Sequence, residues 1–301
     1  MGKTVRETIK DLTRTHLFNG GRCFGQCLTA VGWVGGTLPE LYEEGGMVEI
    51  SMADVAASGF LTGLALAGER PIYVVRYQGF QWFNSPIIAN YAMKSKEIWQ
   101  RSCPLLIRSI AMEGGIGPVA GSSHHSIYQR MPGVKILSPM TPHEYEKVYD
   151  EFMKDDEVYY ISEHRKSYDN THELENVIHS KADITLFPIS ITRFAAEEAR
   201  IQLETEGFKI NIIHQLWIKP FVFHSHWVAA LNNSTFGGIV LDDDYEEGAA
   251  SSIAHVMMMK ANKKVDTMGL RHRTAGFHPD VDNLPPSAGE IIKRVKEMCS
   301  V

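Results

Sequence analysis

Short apolar runs recur along the first half of the chain, and between them apolar and polar positions follow a helical period. The runs at 47–50, 71–75, 105–111, 135–137 and 158–162 are bounded by turn residues and predict buried strands. The stretches 54–67, 86–99 and 141–154 predict the helices between them. Strands alternating with helices imply parallel pairing with crossover helices, and so a sheet covered on both faces. The segment SYDNTHELENVIHSKAD (167–183) is polar and rich in turn formers. It predicts a crossing from a first domain, residues 1–175, to a second, residues 176–301. The alternation then restarts, with strands at 184–188, 209–214 and 238–241 and helices at 194–206, 225–231 and 249–260. In the helix at 194–206, Ala195, Ala199 and Leu203 form one stripe with Phe194 and Ile201 at its edge. Glu197, Arg200 and Glu204 fall opposite, and Gly207 stops the helix. A last helix begins near Pro286, with Glu290, Lys293 and Lys296 on its wet side. The expected fold class is α/β, with two doubly wound domains and mostly parallel sheets.

Composition narrows the function classes. With 301 residues, 44% of them apolar and 22% charged, the chain has enough apolar surface for two cores, which excludes a disordered protein. No apolar stretch is long enough to span a bilayer. The start, MGKTVRETIKDLTRTHL, lacks the apolar centre of a secretory signal, so the expected compartment is the cytoplasm. There Cys23, Cys27, Cys103 and Cys299 are expected to remain thiols. A net charge of −6 without a Lys/Arg cluster leaves no footprint for nucleic acid or an anionic membrane. Arg271, His272, Arg273 and His278 form a local basic group, read as a solvated loop or an approach to a phosphate or partner chain.

Gly115, Gly117 and Ala120 have the spacing of a dinucleotide fingerprint. Pro118 interrupts it, however, and the next strand carries Lys135 where the ribose would need a carboxylate. No Walker-type phosphate loop, no nucleophile elbow and no zinc-like Cys/His spacing occurs. What remains is a scattered set in the first domain, mostly near the ends of predicted strands, where open α/β sheets place their ligands. It comprises Gly25 and Gln26, Asp54, the aromatic run Tyr77, Phe80, Trp82 and Phe83, and the pair His124 and His125. One carboxylate, several flat rings and two imidazoles suit a flat heteroaromatic cofactor.

At these residues the chain resembles a known family. The run MVEISMADVAASGFLTGLALAGERPIYVVRYQGF (47–80) is similar to the pyrimidine-binding domain of transketolases and of 2-oxo acid dehydrogenase E1 beta subunits. The shared pattern is a strand, a carboxylate, a helix of small residues with Gly63 nine positions after Asp54, and a strand ending in aromatics. The likeness continues through GSSHHSIYQRMPGVKILSPMTPHE (121–144). In the second domain KADITLFPIS and QLWIKPF look like the transketolase C-terminal domain.

The resemblance implies thiamine diphosphate as cofactor. Asp54 would meet the pyrimidine ring nitrogen, although the family normally has glutamate there; its other reading is a helix N-cap. Tyr77 and Phe80 would stack on the aminopyrimidine, or else form an aromatic cluster in a core or interface. Trp82 and Phe83 read as packing. Gln26 joins the cofactor residues, standing where many dehydrogenase beta subunits carry an acid. His125 and His124 would move protons at the substrate carbonyl, His124 alternatively orienting it. Arg165 would bind an acid or phosphate group of the substrate, or else make a surface ion pair.

The resemblance also implies that half of the site is elsewhere. The family's Gly-Asp-Gly metal motif does not occur in this chain, and Asp242, Asp243 and Asp244 read as a solvated loop after a strand, not as a metal site. Mg²⁺ and the diphosphate would then be held by a separately encoded subunit in an α2β2 assembly, the chain alone self-associating into a dimer with exposed apolar patches. The implied activity is transfer of a ketol or acyl fragment between small carbonyl compounds. The alternatives are the beta subunit of a 2-oxo acid dehydrogenase, or a scaffolding subunit that has lost its chemistry.

Overall fold

A computed structural model describes residues 2–30, 32–113, 121–274 and 283–300. The chain forms two compact units, one ending at Glu173 and the other running on from Leu174. In the first, strands β1 (Cys23–Gln26), β2 (Met47–Ile50), β3 (Ile72–Val75), β4 (Leu106–Ala111), β5 (Val134–Leu137) and β6 (Val158–His164) lie in the order β2-β1-β3-β4-β6-β5. Each neighbouring pair is parallel. Strands β3, β4 and β6 are buried along their whole length, and they read as mainly apolar runs and not as alternations, although β4 carries Arg108 and Ser109 and β6 ends in Ser162, Glu163 and His164. The sheet order reverses at β1, so the ends of β1 and its neighbours open the crevice where such sheets take ligands.

Three expectations are corrected in this unit. The stretch 86–99 is not one helix: Gln81–Ile87 gives way to a wider-wound turn at Ile88–Ala92 and a last turn at Ser95–Trp99. Pro86 has no N–H to continue an α ladder. A helix unread in the sequence, Val5–Phe18, opens the unit. Its signal was present, since Thr4 and Glu7 make a reciprocal capping box ahead of buried Val5, Ile9 and Leu17. Strand β1 was also unread, because Cys-Phe-Gly-Gln carries no apolar run.

The second unit holds β7 (Ile184–Pro188), β8 (Ile210–Ile212), β9 (Trp217–Lys219), β10 (Gly238–Tyr245) and β11 (Val265–Leu270). Its four-stranded parallel sheet has the order β11-β10-β7-β8. The helix Thr192–Thr205 buries Ala196, Ala199 and Leu203 against Ile291 and Val295 of the helix Ala288–Cys299. The expected stripe is thus rotated by a residue: Ala196 replaces Ala195, and Ile201 is exposed. The last helix starts at Ala288, later than expected, because Ser287 caps it with Glu290. Strand β10 runs four residues beyond its predicted end. Asp242, Asp243 and Asp244 are therefore strand residues and buried, not a solvated loop. Asp242 Oδ1 accepts from the backbone N–H of Asp243 and Asp244, and Ser190 donates to Asp243 Oδ2 at 2.7 Å. Of the basic group near the end, Arg271 pairs with Glu290 at 2.9 Å. His278, Gly115, Gly117 and Ala120 lie outside the described residues.

All four cysteines are free thiols. Burial pushes Cys23 up to about 12, so this sulfur keeps its proton. Burial acts oppositely on His164, at the end of β6, taking its ring down to about 3. The folded chain holds it neutral, while the unfolded chain protonates it below about pH 6.5. Its contribution to stability is complete above that pH and is lost, at about 1.4 kcal/mol per pH unit, as the pH falls toward the folded value. His16, buried and likewise lowered, acts in the same direction. Urea midpoints measured between about pH 7 and pH 5 should fall more steeply for the wild type than for His164→Gln. Equal slopes would show that His164 is not the titrating group.

Candidate functional site

The expected site residues gather at the C-terminal ends of the first unit's strands. Gln26 ends β1, Asp54 stands four residues past β2, Tyr77 stands two residues past β3, and Arg165 follows β6. Asp54 is the first residue of the helix Asp54–Leu66, but the N-cap is Ala53 and Asp54 makes no cap bond. The helix-cap reading of Asp54 is thereby overturned. Its carboxylate is held from behind: Oδ1 accepts from Gln26 Nε2 at 3.0 Å and from the Tyr73 hydroxyl at 3.3 Å. Burial, with the Asp54 charge adding to it, pushes the Tyr73 hydroxyl well up, so it keeps the proton it donates. Oδ2 accepts no hydrogen bond among the described residues.

Asp54 lies on the rim of a cavity of about 620 Å³, with Met52, Ala53, Val55, Phe80 and Phe83 as further walls. The rings of Phe80 and Phe83 are 6.4 Å apart. Of the expected cofactor residues, Asp54 and Phe80 line this space, and Gln26, only 4% exposed, sits behind Asp54 as a positioning group. Phe83, read in the sequence as packing, is a cavity wall and 54% exposed; Trp82 is not core packing either, at 62% exposed. Tyr77 stands apart from the cavity. Its ring lies under the Arg76 guanidinium, 4.9 Å from the centroid, and 6.2 Å from Phe80.

The histidines are tied to the aromatic segment by a residue that sequence reasoning missed. Gln78 accepts from the His124 backbone N–H at 2.6 Å and donates to Ser162 Oγ at 2.8 Å and to the Ser109 carbonyl at 3.2 Å. Ser162 Oγ is also 3.2 Å from Nδ1 of the buried His125. His124 Nε2 is 3.2 Å from Ser122 Oγ, and the Trp82 ring meets the His124 ring edge-on at 6.0 Å. One turn on, Gln81 donates to Ser109 Oγ and accepts from Tyr128, repeating the device. The segment 77–83 thus offers rings to one side and buried amides to β4, β6 and the histidine loop. Two glutamines within an aromatic run were the available signal, since buried amides need partners.

A family model described as the pyrimidine binding domain of transketolase matches residues 18–171. The chain belongs to this family. The 2-oxoisovalerate dehydrogenase subunit beta of Bacillus subtilis is 25% identical, over 70% of this chain and 70% of its own length. The acetoin:2,6-dichlorophenolindophenol oxidoreductase subunit beta of Cupriavidus necator is 23% identical over 87% and 83%. The pyruvate dehydrogenase E1 component subunit beta of Staphylococcus aureus is 21% identical over 98% of both chains. Among solved structures, a split gene transketolase described as an inactive beta4 tetramer superposes with a TM-score of 0.74. It covers 100% of this chain and 99% of its own at 14% identity, a likeness of fold. The doubly wound α/β architecture read from the strand and helix pattern is the architecture of this transketolase-like family. Among the described residues no helix is long and apolar enough to cross a membrane.

Proposed function

We propose that this chain is the pyrimidine-binding subunit of a split, thiamine diphosphate-dependent, transketolase-like enzyme that transfers a ketol or acyl fragment between carbonyl compounds. The observation that carries this reading is the half-satisfied carboxyl of Asp54 on the rim of a cavity walled by Phe80 and Phe83. An aminopyrimidine fits that donor set, having two faces for aromatic contact and a ring nitrogen that can share a proton with Oδ2. When bound, the cofactor supplies a nucleophilic carbon that cleaves bonds next to a carbonyl and carries the fragment.

The chain's own residues would bind, orient and handle protons. Asp54 Oδ2 would hold a proton against the pyrimidine nitrogen, with Gln26 and Tyr73 fixing the other oxygen. Phe80 and Phe83 would stack on the ring, and Met52 and Val55 would exclude water. His125, its Nδ1 tied to Ser162, would exchange protons at the substrate oxygen, with His124 orienting that oxygen. Mg²⁺ and the diphosphate would sit on a separately encoded partner in an α2β2 assembly, because the Gly-Asp-Gly motif is absent from this chain. The neighbour described as an inactive beta4 tetramer supports a beta chain that needs such a partner. A second reading, the beta subunit of a 2-oxo acid dehydrogenase, is favoured by the names of the relatives. It differs in passing the fragment to a lipoyl arm.

Calorimetric titration of thiamine diphosphate with Mg²⁺ into the chain alone, and into its complex with the diphosphate-domain partner, tests the reading. Saturable binding is expected only in the complex, and to be lost on Asp54→Ala. A complex that forms and binds no cofactor would leave a scaffolding subunit. Turnover with a lipoylated acceptor domain, but none with aldehyde acceptors, would select the dehydrogenase reading.

A further inference from the structure

Gln78 stands in the turn Gln78–Phe80 that follows β3, fully buried, and its partners leave its amide one orientation. A backbone N–H can only donate and a backbone carbonyl can only accept. The His124 N–H at 2.6 Å therefore fixes Oε1, and the Ser109 carbonyl at 3.2 Å fixes Nε2 at the other end. Nε2 carries a second hydrogen, which is spent on Ser162 Oγ at 2.8 Å.

Ser162 belongs to β6 and is likewise fully buried. Its oxygen is an acceptor toward Gln78, so its own proton needs an acceptor elsewhere. Among the described residues the other polar atom within reach of this oxygen is Nδ1 of His125, at 3.2 Å. A hydroxyl proton left without an acceptor in a dry interior is costly, which turns it toward Nδ1. Nδ1 then accepts, and a neutral imidazole whose Nδ1 accepts carries its hydrogen on Nε2. Each link leaves the next group a single choice, from a backbone N–H to the edge of the ring.

We propose that Gln78, acting through Ser162, sets the tautomer of His125, so that the ring presents Nε2–H to the substrate oxygen as a neutral hydrogen-bond donor. Gln78 and Ser162 are positioning residues. The role in turnover rests on the proposed function, whereas the proton pattern does not. Under that reading His125 meets the substrate oxygen as a donor and not as a base, stabilising negative charge as it develops there.

The test uses the full-length chain without cofactor or partner, so that a failure of the thiamine diphosphate reading would leave its result intact. The histidine rings are labelled with ¹⁵N, and long-range ¹H–¹⁵N spectra are recorded at about pH 8, where an ordinary imidazole is neutral. Such spectra tell a bare ring nitrogen from a protonated one, and His125→Gln identifies the His125 signals. A bare Nδ1 and a protonated Nε2 are expected in the wild type. In Gln78→Glu a carboxylate keeps the His124 N–H but accepts from Ser162, whose oxygen must then accept from the ring, so a proton is expected on Nδ1. Ser162→Ala breaks the link without adding charge and should move the His125 signals toward the averaged values of a free histidine. It decides the matter if Gln78→Glu does not fold. In the complex with the partner, Gln78→Glu should lower kcat about 10²-fold. Unchanged kcat beside a moved proton would overturn the role in turnover. A wild-type proton on Nδ1, or wild-type signals retained in folded Ser162→Ala, would overturn the tautomer assignment.

Discussion

Replacing Asp54 by Asn is expected to lower turnover of the reconstituted enzyme by roughly 10²–10⁴-fold, the range typical of a lost proton-transfer group. The hydrogen bonds around Asp54 explain why so small a change should act so strongly. Gln26 Nε2 and the Tyr73 hydroxyl both donate to Oδ1, so an Asn at this position must turn its carbonyl toward them. The amide nitrogen then occupies the place of Oδ2, presenting donors where the proposed chemistry needs an acceptor that can hold a proton. The fold should hardly notice. Asp54 is a first-turn acid, half-buried, with no cap bond, and such a charge near a helix N-terminus contributes about 0.3–1 kcal/mol. A collapse of turnover with a urea midpoint close to wild type is therefore the expected pair of results. Unimpaired turnover would reduce Asp54 to a helix-start residue and remove the main support for the proposed function.

Breaking the buried ion pair between Arg108 and Glu163 should have the largest effect on stability, about 3–5 kcal/mol for either Arg108→Met or Glu163→Leu. Both side chains are fully buried. The guanidinium meets the carboxylate through two bonds, Nε to Oε2 at 2.9 Å and Nη2 to Oε1 at 2.8 Å. Thr37 Oγ1 accepts from the guanidinium at 3.0 Å, and the Tyr168 hydroxyl donates to Glu163. Burial opposes the charge on Arg108, but the Glu163 carboxylate outweighs it and leaves Arg108 well above its ordinary value. Removal of one partner strands the other charge in a dry interior. The double variant Arg108→Met/Glu163→Leu removes both, so most of the loss should return, less about 1–3 kcal/mol for the Tyr168 hydroxyl left without its acceptor, while Thr37 still donates to the Val34 carbonyl at 2.9 Å. Urea melts of the three variants at neutral pH check this, and single variants losing under about 1 kcal/mol would mean that water or rearrangement satisfies the stranded charge. The pair also bears on the site. Glu163 lies opposite Ile110 in the pairing of β4 with β6, next to the ends that carry Met112 and Arg165.

The places where pattern and structure part company have definite physical causes. Strand β1 is short and polar at its end, and only its neighbours make it a strand. It lies between β2 and β3, so tightly that a Cβ on Gly25 would come within 2.6 Å of Leu28 Cδ2 and 2.9 Å of the Val74 carbonyl. The aspartates 242–244 look like a wet turn because three adjacent acids usually are one. Their burial follows from continued pairing of β10 with β11 past a bulge and from acceptance of backbone and Ser190 donors. Neither feature leaves a mark on local periodicity.

By itself, the order of residues determined the alternation of strands and helices, because a buried parallel strand is built mainly of apolar residues and a crossover helix is striped. It also placed Asp54 after a strand at the head of a helix of small residues, and Tyr77, Phe80 and Phe83 after the next strand. Tertiary structure alone decided which of these residues share a space. Phe80 and Phe83 meet Asp54, Tyr77 turns to Arg76, and Gln26 and Tyr73 stand behind the carboxylate. These choices depend on how strands far apart in the chain lie side by side and on where buried amides and charges find partners. Both are set by long-range pairing and the cost of unsatisfied polar groups, which local sequence does not encode.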